Sequence, residues 1–211
     1  LAIRGRRMNR TGPAAANDRA GGDAPGPRGT NQSGMREQNE RLILSLLRSH
    51  GPMAKSDIAR LTGLSAQTMS VIMRQLEGAG LLVRGEPVRG RIGQPSVPMS
   101  LNPEGAFFFG LKIGRRSADL TLIDFLGRVR ATERQMYRWP TPTAVIDFVR
   151  DALPAILTRL PPELGERIGG LGVAMPFQLW NWVNAIGAPQ AEMDEWRYRD
   201  IAAELEAITG M

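Results

Sequence analysis

The apolar positions in the first half of the chain follow a helical period in three successive segments. The segment 36–50 carries leucines and an isoleucine at steps of three and four residues and ends at a Gly-Pro pair. The segment 55–62 stops at Gly63. The segment 65–77 starts at Ser65, a residue type common at helix caps, and stops at a Gly-Ala-Gly run. The pattern therefore predicts three short helices.

Two short apolar runs follow the third helix and enclose a polar loop. The runs 81–83 and 97–101 are typical of strands, and Gly, Arg and Pro dominate the residues between them. A pair of strands around a basic loop is the usual form of the wing that follows a helix-turn-helix. We therefore predict a winged helix-turn-helix domain over residues 35–103.

The apolar pattern changes after residue 103 and predicts an α/β region over 104–211. Three strands form a meander, and a helix and a fourth strand follow them. Pro154 should kink the first helix of this region or restart it, because proline lacks the amide hydrogen that a helix interior uses. The predicted elements are strands at 107–113, 118–124, 130–137 and 168–174 and helices at 143–160 and 201–208.

The first 34 residues consist largely of Gly, Pro, Ala, Asn and Arg and contain almost no large apolar side chains. Such a segment cannot bury enough surface to offset the entropy lost when it becomes ordered. We therefore expect residues 1–34 to form a disordered basic tail.

The segment 55–74 fits a helix-turn-helix at several independent points. Ala59 is small where the two helices approach each other, and Gly63 lies at the turn, where a positive φ is needed. A helical bundle with an incidental basic loop is the alternative. The apolar positions that would join the two helices into one core are Ile58, Leu64, Met69 and Ile72.

Polar residues of the third helix and of the wing are the candidate DNA contacts. Gln67 can form two hydrogen bonds with adenine, and Thr68 can contact a thymine methyl group or a phosphate. Ser65 can offer its backbone N–H and its hydroxyl to a phosphate, and wing arginines suit a narrow minor groove or the DNA backbone. The full set of candidate DNA-binding residues is Ser65, Gln67, Thr68, Ser70, Arg74, Arg89, Arg91 and Gln94.

The distribution of charge favours the same assignment. Residues 1–103 hold 15 Lys and Arg against 7 Asp and Glu, whereas residues 104–211 hold 12 against 14. A basic first half is typical of a nucleic-acid module, although an arginine-rich chain can be basic without binding nucleic acid. The chain has no cysteine and one histidine, which excludes disulfides and thiolate sites and disfavours a zinc site or a Ser-His-Asp triad. We expect no catalytic site, no cofactor and no bound metal.

In combination these features resemble the ROK family of bacterial repressors and sugar kinases, in its regulator form. The resemblance implies a winged helix-turn-helix followed by an actin-like, ribonuclease-H-like α/β domain of the sugar-kinase type. It covers nearly all of the chain after residue 34. The matching stretches are Arg36-Glu37-Gln38-Asn39, Gly63-Leu64-Ser65, Glu77-Gly78-Ala79-Gly80-Leu81, Gly90-Arg91-Ile92-Gly93-Gln94-Pro95-Ser96 with Leu101-Asn102-Pro103, Phe109-Gly110-Leu111-Lys112-Ile113-Gly114 and Gly172-Val173-Ala174-Met175-Pro176.

One departure from the family concerns the phosphate loop of its kinases, Asp-x-Gly-Gly-Thr. Lys112 stands here for the aspartate, Gly114 keeps the first glycine, and Arg115 and Arg116 replace the second glycine and the threonine. The changes remove the carboxylate that organises the metal-nucleotide end and block close approach of the backbone to a phosphate. The resemblance therefore implies a regulator and not an enzyme. The Arg-Arg turn is either an anion-sensing loop, a solvated turn or a subunit contact.

The second departure concerns length. The family continues beyond the point that corresponds to residue 211 into further sugar-binding and catalytic segments, so the resemblance implies a C-terminally truncated product or fragment. On this interpretation residues 104–211 are the incomplete N-terminal portion of an effector domain, and most of its sugar site is missing. The aromatic segment 177–182, with Trp196 nearby, is either part of an effector pocket or packing for the absent half.

The function predicted from these features is sequence-specific DNA binding by a transcriptional regulator, a repressor that responds to a sugar or sugar derivative. The alternatives are a ROK-type sugar kinase with an appended DNA-binding segment and a winged helix that binds a protein. The expected partners are double-stranded DNA, a second copy of the full-length chain in a homodimer or higher oligomer, and a sugar effector. No apolar run reaches the roughly 18 residues of a membrane span and no apolar run follows a basic leader, so we expect a cytoplasmic protein. The family resemblance implies that it is bacterial and associated with the nucleoid.

Overall fold

The computed structural model describes residues 32–87 and 96–211, with side chains from residue 34 onward. Its first part has the helical and strand order that the apolar pattern predicts, with one additional short strand ahead of the second helix. The elements are α1 (Gln32–His50), β1 (Met53–Ala54), α2 (Lys55–Thr62), α3 (Ala66–Gly78), β2 (Leu82–Arg84) and β3 (Pro98–Leu101).

The three helices and three strands of this part enclose one hydrophobic core, here called the winged-helix core. The strands form an antiparallel sheet in the order β1-β3-β2, with Leu82 opposite Leu101 and Met53 opposite Met99. Strand β3 pairs with β2, which follows α3, and with β1, which directly precedes α2. The base of the wing is therefore attached to both helices. The buried members of the core are Ile43, Leu47, Ile58, Met69, Ile72, Met73, Leu76, Leu81, Leu82, Met99 and Leu101.

The second part is a four-stranded mixed sheet with helices packed on one face. Two 3₁₀ segments, Pro162–Arg167 and Leu179–Trp182, connect its elements. The elements are β4 (Phe107–Ile113), β5 (Ser117–Asp124), β6 (Val129–Met136), α4 (Pro142–Leu157), β7 (Ile168–Ala174), α5 (Val183–Ile186), α6 (Gln190–Tyr198) and α7 (Ile201–Thr209).

The order of this sheet is β6-β5-β4-β7, and β7 runs parallel to β4 while the other pairs are antiparallel. Alternate residues of β4, among them Phe107, Phe109 and Leu111, face the core. Val145 and Val149 of α4 are buried in the same cluster. This alternation of buried and exposed positions is what a sheet covered on one face produces.

Several boundaries differ from the sequence prediction. Helix α1 begins at Gln32, four residues before the predicted start, and α6 was not predicted at all. The helix predicted over 143–160 neither restarts nor breaks at Pro154 but runs without interruption from Pro142 to Leu157. Pro154 lies within one turn of the C-terminal end, so only one intrahelical hydrogen bond is lost, and the buried side chains on either side of it, Leu153 and Ile156, hold the helix on the sheet.

The turn between β5 and β6 joins the two parts of the molecule. Phe125 and Leu126 at its tip pack against the winged-helix core. The Phe125 N–H donates to the Pro103 carbonyl over 3.1 Å, and Arg48 of α1 donates to the Phe125 carbonyl over 3.4 Å. We call residues 124–128 the docking turn.

A buried aspartate fixes the conformation of the docking turn. The Asp124 side chain accepts hydrogen bonds from the backbone N–H groups of Leu126 and Arg128, both over 2.9 Å. Arg130 lies 3.4 Å from the same carboxylate, whose exposed fraction is 0%. Since a buried carboxylate is costly without partners, these three contacts hold the turn in the shape that presents Phe125.

Candidate nucleic-acid interface

The turn between α2 and α3 has the geometry of a helix-turn-helix. Gly63 ends α2 in the left-handed region, with φ 68°, and its N–H donates to the Ala59 carbonyl over 2.9 Å. Few residues other than glycine adopt that φ without strain, which confirms the role predicted for this position. Ala59 and Leu64 are partly buried against the winged-helix core, so the two helices share it.

Helix α3 begins at a cap made by Ser65. The Ser65 Oγ accepts from the Thr68 N–H over 3.2 Å and lies 2.9 Å from the Thr68 Oγ1. This confirms the helix cap predicted at Ser65. The contact of its N–H and hydroxyl with a phosphate stays a prediction. The cap positions Thr68 at the N-terminal end of the exposed face.

One face of α3 is buried and the other is exposed. Met69, Ile72, Met73 and Leu76 point into the winged-helix core. The four polar residues predicted to contact DNA from this helix are all exposed, on the opposite face: Gln67, Thr68, Ser70 and Arg74. We call this set the recognition face.

The side chains of the recognition face carry hydrogen-bond donors and acceptors that are not all used within the protein. The Gln67 amide offers both a donor and acceptors, while the Ser70 Oγ donates to the Ala66 carbonyl over 2.8 Å and keeps its lone pairs for a second partner. Among the described residues Arg74 has no ion pair, so its guanidinium is available to a phosphate or to guanine.

The C-terminal end of α3 is tied to its neighbours by Glu77. Its carboxylate lies 2.8 Å from the Arg84 guanidinium at the base of the wing and 3.5 Å from Nζ of Lys55 at the start of α2. Hydrogen bonds from Arg84 hold the pKa of Glu77 below its ordinary value, with a smaller contribution from the charge of Lys55. The sequence prediction missed this cluster, because its members are 7 and 22 residues from Glu77 along the chain.

The wing is described at its base and not at its tip. Strands β2 and β3 are paired up to Arg84 and Met99, and the Gly85 N–H donates to the Pro98 carbonyl over 2.8 Å. The predicted wing contacts Arg89, Arg91 and Gln94 fall in the segment 88–95, which lies outside the described residues.

The turn at 114–117, which the family resemblance aligns with a phosphate loop, is closed on itself. The Gly114 N–H donates to the Ser117 carbonyl over 2.8 Å, and the Tyr137 hydroxyl lies 2.8 Å from the carbonyl oxygens of both residues. Arg115 stacks on the Trp182 ring, with its guanidinium carbon 5.7 Å from the ring centroid. The backbone amide that a phosphate loop would present is therefore already paired.

The aromatic residues near this turn have separate environments. Trp196 is buried, and its indole N–H donates to the Pro140 carbonyl over 2.9 Å. Trp180 and Trp182 are partly buried against the sheet core, beneath Arg197 and Arg115 respectively. Phe177 is 84% exposed. Three of the four aromatic residues therefore contribute to packing of the second part.

No described helix is long and apolar enough to cross a membrane. Within residues 32–87 and 96–211 there is no group of three or more acidic, histidine or cysteine side chains that could hold a metal ion.

Comparison with known proteins finds transcriptional regulators that are similar in sequence to part of this chain. Residues 34–92 match the model of the MarR family. The chain is 33% identical over 120 residues to a transcriptional regulator of Mycobacterium bovis, covering 56% of this chain and 25% of that protein. It is 24% identical over 119 residues to the N-acetylglucosamine repressor of Escherichia coli O157:H7, covering 56% and 28%. The chain thus spans between a quarter and a third of the length of these relatives.

A solved structure extends the similarity to the second part of the molecule. It is described as a ROK family transcriptional regulator, a homologue of the E. coli protein Mlc, and it superposes on 84% of this chain and 44% of its own length with a TM-score of 0.55 at 16% identity. That likeness covers the fold, and the sequence matches carry the regulator relationship. Together they show a helix-turn-helix module that matches the MarR family model, a sequence similarity to named transcriptional regulators, and a fold shared with a ROK family transcriptional regulator.

Proposed function

We propose that this protein is a sequence-specific DNA-binding transcriptional regulator, that it acts as a repressor, and that it responds to a sugar or sugar derivative. The observation that carries the proposal is the recognition face, a set of exposed polar side chains on the second helix of a capped helix-turn-helix. The curated relatives are named as transcriptional regulators and, in one case, as an N-acetylglucosamine repressor. A regulator of this kind acts on the chromosome, so we place it at the bacterial nucleoid in the cytoplasm.

The roles proposed for the predicted DNA-binding residues differ. Gln67 reads a base edge, and Thr68 reads a base edge or a phosphate. Ser70 and Arg74 contact the adjacent strand of the DNA. Ser65 supports the site as a helix cap and offers its backbone to a phosphate, while Arg89, Arg91 and Gln94 of the wing contact the backbone or the minor groove.

The test is DNA binding measured by fluorescence polarisation, with a duplex selected by the protein from a randomised pool. Gln67→Ala should lower affinity for the selected duplex by about 1 to 3 kcal/mol and relax preference at one position. Arg74→Ala should weaken binding to all duplexes alike and reduce the slope of log K against log salt by about 1. Arg150→Ala, an exposed arginine of α4, is the matched control and should leave both quantities unchanged.

The salt dependence also separates DNA binding from a winged helix that binds protein. Neutralisation of several phosphates makes affinity fall steeply with salt, whereas a polar protein contact has a shallow dependence. If no duplex is selected, or if Gln67→Ala, Thr68→Ala and Arg74→Ala all retain wild-type affinity at moderate salt, the proposal is wrong.

The alternative of a sugar kinase is disfavoured by the closed turn at Gly114. Its amide is paired with Ser117, and Lys112 occupies the place of the kinase aspartate, so the chain's own atoms offer no phosphate cradle there. We expect no phosphorylation of glucose or N-acetylglucosamine when the protein is incubated with ATP and magnesium. Transfer of labelled phosphate to either sugar would revive the kinase assignment.

Repression by a symmetric regulator requires two recognition helices on one duplex. We propose that the full-length regulator binds as a homodimer or higher homo-oligomer, with half-sites one or more helical turns apart. Sedimentation of the protein with the selected duplex measures the stoichiometry. The selected sequences should be palindromic. The effector is tested by adding N-acetylglucosamine or glucose to the same titration and recording the change in DNA affinity.

A further inference from the structure

A groove runs between the first turns of α1 and the recognition face of α3. Its volume is about 430 Å³, and its lining residues are Met35, Arg36, Asn39, Gln67, Thr68, Val71 and Ile72. Two of the proposed DNA contacts, Gln67 and Thr68, therefore form one wall, so the groove is continuous with the recognition face. The N-terminal end of α1 forms the other wall.

Two exposed apolar side chains lie in this groove. Val71 is 46% exposed although it belongs to α3, where apolar residues otherwise turn inward, and Met35 is 52% exposed on the opposite wall. Single exposed apolar residues are ordinary on a protein surface. Val71, however, is one helical turn from Gln67 and three residues from Arg74. It therefore lies between polar residues that are proposed to contact DNA.

The rim of the groove is polar and cationic at its α1 side. Arg36 is half exposed, and its Nε lies 3.2 Å from the carboxylate of Glu40, which is buried. The rim thus presents guanidinium to solvent and turns the carboxylate inward. Apolar walls beside a cationic rim match a DNA duplex, because thymine methyl groups lie in the major groove between the two phosphate backbones.

We propose that the α1–α3 groove is part of the DNA-reading surface and that Val71 determines specificity by packing on the C5-methyl group of a thymine. The inference rests on the proposed function, since it names what Val71, a side chain beside the recognition face, reads. Met35 forms the second wall and excludes water from that contact.

The experiment replaces each thymine of the selected duplex in turn by deoxyuridine, which removes the methyl group and keeps the base pairing. At one position in each half-site the wild-type protein should lose affinity about threefold to fourfold, the value of one buried methyl group. Val71→Ala should bind the thymine and deoxyuridine duplexes equally at that position. The variant should fold, because the site is half exposed and alanine favours a helix more than valine does.

Two further variants make the assignment specific. Val129→Ala removes another exposed valine, from β6 in the second part, and it should keep the wild-type response to deoxyuridine. Thr68→Ala tests the neighbouring side chain that can also contact a methyl group. If Thr68→Ala abolishes the response and Val71→Ala does not, or if no thymine methyl affects wild-type affinity, the inference is wrong while the proposed function stands. Failure of the wild type to select any duplex would overturn both.

Discussion

The docking turn should make the opening of the winged helix depend on the second part of the molecule. Phe125 and Leu126 are each partly buried against the winged-helix core. Full burial of such a side chain is worth about 1.5 to 3 kcal/mol, so the partial burial here is worth about 1 kcal/mol for each. The double variant Phe125→Ala/Leu126→Ala should therefore lower the free energy of opening of the winged helix by about 2 kcal/mol.

Hydrogen exchange followed by mass spectrometry measures this quantity for each segment. A loss of about 2 kcal/mol corresponds to exchange about 30-fold faster in the peptides of α1 and α3, provided that closing is faster than exchange. Unfolding of the second part is followed separately by tryptophan fluorescence, because all four tryptophans lie beyond residue 138. Leu42→Ala, an exposed leucine on α1 outside the core, is the control and should leave exchange at the wild-type rate.

The reasoning fails if α1 and α3 exchange at wild-type rates in the double variant. That result would have one of two meanings. Either the contacts with the docking turn stay intact when the winged helix opens, or these contacts do not stabilise the closed winged helix. A second variant, Asp124→Asn, separates side-chain burial from turn conformation. It keeps both apolar side chains and weakens the acceptor of the two 2.9 Å backbone hydrogen bonds, and we expect an effect in the same direction.

Three further predictions concern single residues. Gly63→Ala should destabilise the protein by about 1 kcal/mol in urea unfolding, because alanine is strained at a φ of 68° although no atom lies within 4 Å of the added carbon; Gly78→Ala, also unobstructed but without a positive φ, should not. Because the pKa of Glu77 is lowered in the folded state, its carboxylate stabilises the fold above the ordinary value of 4.5, and this stabilisation disappears as pH falls through the folded-state pKa. The free energy of unfolding in urea should therefore fall less between neutral pH and about pH 3 in Glu77→Gln than in the wild type. Burial raises the pKa of Tyr137 to about 12 from 10, so the folded state holds this proton more tightly and stability should fall as pH rises from 10 towards 12; in Tyr137→Phe, followed by circular dichroism, that fall should be smaller.

Local sequence patterns were sufficient for most of the helix-turn-helix. Gly63, Ser65 and the apolar spacing of α3 each act within one or two helical turns, and the sequence therefore carries enough information to predict them. The same holds for the strands β4 to β7, whose predicted limits agree with the structure to within one residue. The helix through Pro154 was harder, since the energy that holds it comes from the sheet beneath and not from the helix itself.

The features that the sequence did not predict depend on contacts between distant segments. Glu77 becomes a junction only when β2 and α2 bring Arg84 and Lys55 beside it. The docking turn was predicted as a connection between strands, and nothing local indicates that Phe125 would reach the winged-helix core. The sequence prediction assigned Val71 to neither face of α3, and its exposure follows from the way α3 packs on the winged-helix core.

The parallel pairing of β7 with β4 has a consequence for the order of folding. Strands β4, β5 and β6 are joined by short turns and can pair as soon as they have left the ribosome. β7 can join them only after α4 has been synthesised and has crossed the sheet, since a parallel neighbour needs a long connection. The closure of that long loop is the slow step expected for this sheet. During that interval the edge of β4 is unpaired, and the nascent chain is at its most exposed to chaperones.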